Sequence, residues 1–294
     1  GRDDELQEYV TYYSHPGVPQ DLSQKSDRYS SKFEFYETKG TFNFAGKGSK
    51  IGAVTAKVGQ TITVTYSGLE NSTFKGKPIS RMELDLTVLS DSENIKSDVV
   101  YGIFQNPTYG IEVATMHKDS NQDYDLRLSV KPRFYDENGN QIVFEDDKGV
   151  TKQSKGLLAI SSLNSNKNHV ETLKPTDSAR FIPITGSSIV KHDNGYVYAN
   201  EKDNSNGNHF GLNKKGIVDS KDSPYFWYVS GAVALKGANP EYILRITSWD
   251  KLGDMKGEGR WTPSIWFTVT SELSVPTVTP PSPNKVKSLK PFTP

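Results

Sequence analysis

Thr61-Ile62-Thr63-Val64-Thr65-Tyr66 and Met82-Glu83-Leu84-Asp85-Leu86-Thr87-Val88 alternate apolar and polar side chains residue by residue. A period of two matches a pleated strand with one face on a core and the other toward water; a helix would scatter the same residues around its circumference. Residues 124–135 repeat the pattern, with Leu126, Leu128 and Val130 on one face and Arg127, Ser129 and Lys131 on the other. Further strands, rich in β-branched and aromatic residues, are expected over 156–162, 180–185, 225–235, 242–249 and 264–270. Asn138-Gly139 is placed as a type I′ turn and Lys75-Gly76-Lys77-Pro78 as a second turn. No window of three helical turns carries an apolar stripe, and short helices are expected only over 3–13 and near Ala179 or Pro240. The fold class is all-β with a few single turns of helix.

Composition bounds the rest. The 294 residues are enough for one large β-sandwich. Lysine and arginine number 35 and aspartate and glutamate 35, so net charge gives no argument for nucleic acid or membrane, although a charged local face remains possible. The absence of cysteine excludes disulfides and thiolate metal sites and is compatible with an exported Gram-positive protein. No run of 18 apolar residues occurs, so no membrane insertion is expected. The chain starts at Gly1 without a signal-peptide pattern and reads as part of a longer polypeptide. Val275-Pro276-Thr277-Val278-Thr279-Pro280-Pro281-Ser282-Pro283 is an extended spacer, because each proline lacks a donor. Residues 200–223 form a long polar stretch expected to be functional or mobile. The division is a lead-in with first edge elements at 1–39, a β-sandwich at 40–274 and a proline-rich linker at 275–294.

Several segments resemble the glucan-binding protein C / antigen I/II variable-region family of Gram-positive surface adhesins. Residues 58–69 look like that family's early strand, and Asn71-Ser72-Thr73-Phe74-Lys75-Gly76-Lys77-Pro78-Ile79-Ser80 fits its N-x-x-[YF]-x-G-K-x-I-S turn and strand entry. Residues 134–140, 156–164 (ending Ser162-Leu163-Asn164), 182–188 and Trp266-Phe267-Thr268 resemble later segments, in the right order. The resemblance implies a lectin-like β-supersandwich of two stacked antiparallel sheets with a cleft, displayed on the cell wall and acting in adhesion or aggregation. The compact length looks most like the adhesin domain of enterococcal aggregation substance, for which the implied partners are extracellular DNA and lipoteichoic acid. The oral members imply glucan or host glycoprotein instead.

The same resemblance places the cleft beside the Ser-Leu-Asn strand, so Ser162 and Asn164 are candidate ligand contacts. Trp249 and Trp261, near loops, are candidates for stacking on a sugar ring or base, whereas Trp266 sits in a strand and is assigned to the core. Period two also puts Phe226 with Tyr228 on one face and Tyr225 with Trp227 on the other. Among small basic groups, Lys214 and Lys215 are the candidate contacts to an anionic polymer, whose phosphates release counterions when neutralised. Asp119-Ser120-Asn121-Gln122-Asp123-Tyr124-Asp125 opens like a calcium loop. Tyr124 then stands where glycine belongs and Val130 where glutamate belongs, and an Asx turn accounts for it as well. No cofactor is expected, a structural calcium ion there being the one alternative. Glu83 and Asp85, about 7 Å apart on one strand face, could mimic a glycosidase pair, yet such alternation is common on solvated strands. Nucleophile, zinc and phosphate-loop motifs are absent and the five histidines are scattered. The expectation is therefore no enzyme but a wall-linked adhesin holding a polymeric anionic ligand in a surface cleft. A lectin-like glucan or glycoprotein binder is the alternative.

Overall fold

The computed structural model describes strands at 22–25, 30–32 and 36–37, and then residues 50–69, 72–74, 76–104, 107–144, 156–160, 162–205, 210, 218–219, 223–258 and 262–269. The strands run β1 (Leu22–Lys25), β2 (Ser30–Lys32), β3 (Tyr36–Glu37), β4 (Lys50–Lys57), β5 (Thr61–Ser67), β6 (Thr73–Phe74), β7 (Lys77–Val88), β8 (Asp98–Phe104), β9 (Ile111–Ala114) and β10 (Asp125–Asp136). They continue as β11 (Gly156–Ile160), β12 (Ser165–Asn166), β13 (His169–Lys174), β14 (Ala179–Ile182), β15 (Ile189–Lys191), β16 (Val197–Ala199), β17 (Gly231–Leu235), β18 (Tyr242–Thr247) and β19 (Ser264–Phe267). One short helix, α1 (Trp249–Leu252), and 3-10 turns at Pro107–Tyr109 and Phe226–Val229 complete the described elements.

The alternating stretches become the centre of one large antiparallel sheet, ordered β15-β16-β13-β18-β10-β7-β5-β1-β2. Its register pairs Thr63 with Asp85 and Asp85 with Lys131, which sets Ile62, Val64, Leu84, Leu86 and Val130 together on the inner face. All five are fully buried or nearly so. Each such side chain contributes about 1.5–3 kcal/mol on leaving water, and a slip of one residue would expose the whole set.

Opposite lie a five-stranded sheet, β19-β9-β8-β4-β3, and a three-stranded one, β11-β17-β14. One continuous core joins the layers, drawing Val99, Ile103 and Ile265 from the first and Leu158, Ile160 and Val233 from the second. The Tyr66 hydroxyl crosses it and donates to the Phe104 carbonyl at 2.9 Å. The sandwich implied by the family resemblance is thus present, with its second layer divided. The edge strands β19 and β11 face each other over that division, since Ile265 and Phe267 line one small apolar pocket with Ile160 and Leu163.

Several local expectations change. The strand placed at 156–162 stops at Ile160, and Ser162 turns the chain with a left-handed φ of 62°. Residues 226–229 form a 3-10 turn rather than a strand with two faces, so Phe226 is buried while Trp227 and Tyr228 are half-buried. The strand placed at 242–249 ends at Thr247, where Ser248 caps α1 by accepting from the Lys251 amide. Trp249, expected at a ligand surface, is 0% exposed, and its indole N–H donates to the Asn166 carbonyl at 2.7 Å. An indole enclosed by Val170, Tyr198 and Leu252 is core and cannot stack on a ligand. Ala179 opens β14 instead of a helix, no helix occurs at Pro240, and 3–13 lies outside the described residues. In the 136–140 turn only Gly139 has positive φ, so it is not type I′; the Asp136 carboxylate holds it by accepting from the amides of Asn138 and Asn140.

Candidate functional site

The division in the second layer opens into a cleft of about 330 Å³. Its floor comes from β13. Glu171 pairs with Ile246 and Leu173 with Leu244, so the alternation turns His169, Glu171 and Leu173 toward the space between the layers. Leu173 meets the opposing core there, whereas His169 and Glu171 meet the opening. One wall is the chain leaving β11. The Leu163 amide donates to the Val229 carbonyl at 2.9 Å, and residues 164 and 171 exchange bonds. The Asn164 amide donates to Glu171 Oε1 at 3.1 Å and the Glu171 amide to the Asn164 carbonyl at 3.1 Å. The other wall is Glu112 of β9 with Ser264 and Trp266 of β19, the indole N–H of Trp266 being anchored on the Tyr109 carbonyl at 2.7 Å.

Fully buried Asn204 fastens the first wall from behind. Its Oδ1 accepts from the Ser165 amide at 2.8 Å, and its Nδ2 donates to the Leu163 carbonyl at 3.0 Å and to Ser188 Oγ at 3.1 Å. Asp219 joins from the polar stretch: Ser162 Oγ donates to its Oδ1 at 2.8 Å and Asn164 Nδ2 to its Oδ2. His169 Nε2 lies 3.3 Å from Asn164 Oδ1, which makes Nε2 the donor when that amide oxygen accepts.

Burial dominates the electrostatics. It pushes the Glu171 carboxyl well above the ordinary carboxylate range, helped by the charges of Asp219 and Glu112 and opposed by the Asn164 amide. Burial also raises Asp219, against the lowering effect of its bonds from Asn164 and Ser162, and raises Glu112. The His169 imidazole is pushed down to about 4 by the same desolvation. Among the described residues lining the cleft there is no lysine or arginine.

The His169 shift has a definite sign. Its folded-state value lies below its ordinary 6.5, so its contribution is complete above pH 6.5 and is lost as the pH falls toward about 4. Urea titrations should show wild type losing about 3 kcal/mol relative to His169→Gln across that window. A difference that does not change with pH would contradict a neutral buried imidazole.

Of the sequence-based candidates, Ser162 and Asn164 stand together in the cleft wall, although Ser162 reaches it from a bend and not from a strand. Trp249 is far from this role, in the core. Trp261, Lys214 and Lys215 lie outside the described residues. The polar residues that sequence reasoning passed over are Glu112, His169, Glu171 and Asp219. His169 and Glu171 lie four and two residues before Leu173, on the face of β13 that becomes its core side. The loop at 119–125 is an Asx turn, the Asp119 carboxylate accepting from the Asn121 amide at 2.9 Å. Asn94 Nδ2 takes the carbonyls of Asp119 and Gln122 at 2.8 and 3.0 Å, oxygens of the kind a cation would draw. Glu83 and Asp85 are both bound by Arg133, which occupies them as an ion-pair ladder on the sheet face. No group of three or more histidines and carboxylates among the described residues is arranged to hold a metal ion.

A divided β-sandwich with a polar, acid-lined cleft defines the class. The glucan-binding protein C family model matches residues 3–270, and the chain belongs to that family. Its fold is similar to glucan-binding protein C of Streptococcus mutans, reported to mediate sucrose-independent and sucrose-dependent adherence (TM-score 0.61, 24% identity). That match covers 79% of this chain and 62% of the other, so the chain spans about three fifths of that protein's length. It is also similar to the PrgB adhesin domain of Enterococcus faecalis bound to DNA, with TM-score 0.64, 20% identity and coverage of 92% and 95%. A second structure of the same adhesin domain matches with TM-score 0.61, 20% identity and coverage of 92% and 88%.

Proposed function

We propose that this chain is the adhesin domain of a Gram-positive surface protein and that its cleft binds a neutral, hydroxyl-rich polymer, a glucan or a host glycan. The observation that carries this reading is the lining: Glu112, Glu171, Ser162, Asn164 and Ser264 without a described cation. Sugar hydroxyls can donate to such oxygens, whereas a phosphate there would meet acid groups with no described cation on the lining to neutralise it. Trp266, 5% exposed and packed with Phe104, Phe226 and Val229, is core as expected and stiffens the wall without offering a stacking face. Arg127, Arg133 and Arg245 are engaged by acids on the large sheet, and no described lysine or arginine lines the cleft itself.

DNA or teichoic acid, the ligand class first expected from the resemblance, would then engage outside the cleft. Lys214 and Lys215 are the residues proposed for that contact, with Trp261 as a stacking partner. Residues 275–294 are proposed as the spacer joining the 40–274 sandwich to a wall-attached remainder. No helix among the described residues is long and apolar enough to cross a membrane. Binding alone is proposed, without catalysis.

Calorimetric titration with soluble dextran, beside anisotropy with labelled DNA, tests the reading from low to physiological salt. Dextran binding that is insensitive to salt and weakened by Asn164→Ala is the expected result. Binding of DNA alone, falling linearly with salt on logarithmic axes, would overturn it in favour of a phosphate-neutralising surface.

A further inference from the structure

We infer that Glu171 serves the cleft as a neutral carboxylic acid whose Oε2 hydroxyl donates a hydrogen bond to the bound sugar. The inference rests on the glycan reading above and names the residue that sets the polarity of the site.

Position comes first. Glu171 holds a core-facing place on β13, opposite Ile246 and two residues from buried Leu173, and is itself 6% exposed. A carboxylate there needs a cation. The titratable groups facing it are His169 on its own strand, Asp219 from the wall segment, Glu112 from β9 and Tyr124 ahead of β10. Two are acids and one is a fully buried phenol. The remaining one is a buried imidazole 3.8 Å from Oε2, beyond hydrogen-bond distance, and neutral. With like charges near and no described lysine or arginine on the lining, the uncharged acid is the stable form.

Hydrogen bonding then fixes which oxygen carries the proton. Oε1 accepts from the Asn164 amide, which suits the more basic carbonyl oxygen of the acid and assigns the hydroxyl to Oε2. That donor matters because several of its neighbours' donors are already engaged. Ser162 Oγ and Asn164 Nδ2 donate to Asp219, Ser165 Oγ to the Glu201 carbonyl and the Trp266 indole to the Tyr109 carbonyl. The floor would otherwise offer chiefly acceptors; Glu171 provides a donor among them and so matches a ring or hydroxyl oxygen of a neutral sugar.

Two measurements test this on the intact chain. An infrared difference spectrum of wild type minus Glu171→Gln should contain the carbonyl stretch of a protonated carboxyl near neutral pH. In dextran titrations Glu171→Gln, which keeps both an acceptor and a donor, should bind within about twofold of wild type. Glu171→Ala should bind about tenfold more weakly, the size of one lost hydrogen bond left unreplaced. On raising the pH the wild-type affinity should follow the infrared band, while Glu171→Gln stays flat. A carboxylate band at neutral pH, Glu171→Gln as weak as Glu171→Ala, or amine-substituted dextran preferred over neutral dextran would overturn the inference. If dextran binds no variant at any pH, the glycan reading fails, and the infrared band still decides whether Glu171 holds its proton.

Discussion

Asp125→Ala should cost about 3–5 kcal/mol of folding stability, the range for stripping the partner from a buried charge. Arg127 and Arg245 stand directly opposite each other on β10 and β18, a pairing that repels by itself. Asp125, two residues before Arg127 and 1% exposed, resolves it by accepting from both guanidiniums. Arg245 Nε and Nη2 reach it at 3.0 and 2.8 Å, and Arg127 Nη2 at 3.1 Å. Arg127 has a second partner in exposed Asp91, whereas Arg245 lies under the Tyr196 ring with little access to water. Without Asp125 two cations face each other and one cannot be solvated. Urea unfolding should therefore show a large fall in midpoint with little change in slope. Asp125→Leu combined with Arg245→Met should recover most of the loss, because removing both charges also removes their desolvation cost. A loss under about 1 kcal/mol for Asp125→Ala would mean the pair behaves as a surface ion pair.

Asn204→Ala should cost about 2–5 kcal/mol, since it strands the buried Ser165 amide and Leu163 carbonyl, each worth about 1–3 kcal/mol when left without a partner. The effect is local in origin. Asn204 ties the segment carrying Ser162, Leu163 and Asn164 to Ser188, so its loss frees the cleft wall before it loosens the core. Hydrogen exchange of the variant should speed up at residues 163–165 while β5, β7 and β10 keep their protection. Dextran binding should fall with it. Uniformly faster exchange would make Asn204 a global stabiliser instead.

The framework was legible because strands β5, β7 and β10 each bury one face only, and period two then reads directly as inside and outside. The failures have the same physical root. Residues 156–160 are buried on both faces, so the apolar run continues visually past the point where Ser162 turns the chain. Trp249 borders a loop in sequence, but the helix that follows Ser248 folds it back over Val170 and Tyr198. β13 hides the site most effectively. His169-Val170-Glu171-Thr172-Leu173 alternates, yet polar side chains point inward at the opening and Val170 packs on the outer face, so neither side reads as core. Asp219 has no local signal at all; only the fold brings a residue from the polar stretch onto Ser162 and Asn164. Those two residues were found through the family resemblance, and their partners required the structure.

Hydrogen–deuterium exchange with and without saturating dextran tests the central claim most directly. Ligand-dependent protection confined to residues 162–171 and 264–266 is the expected result. Protection confined to other surfaces, with these amides unchanged, would contradict the assignment of the cleft as the binding site.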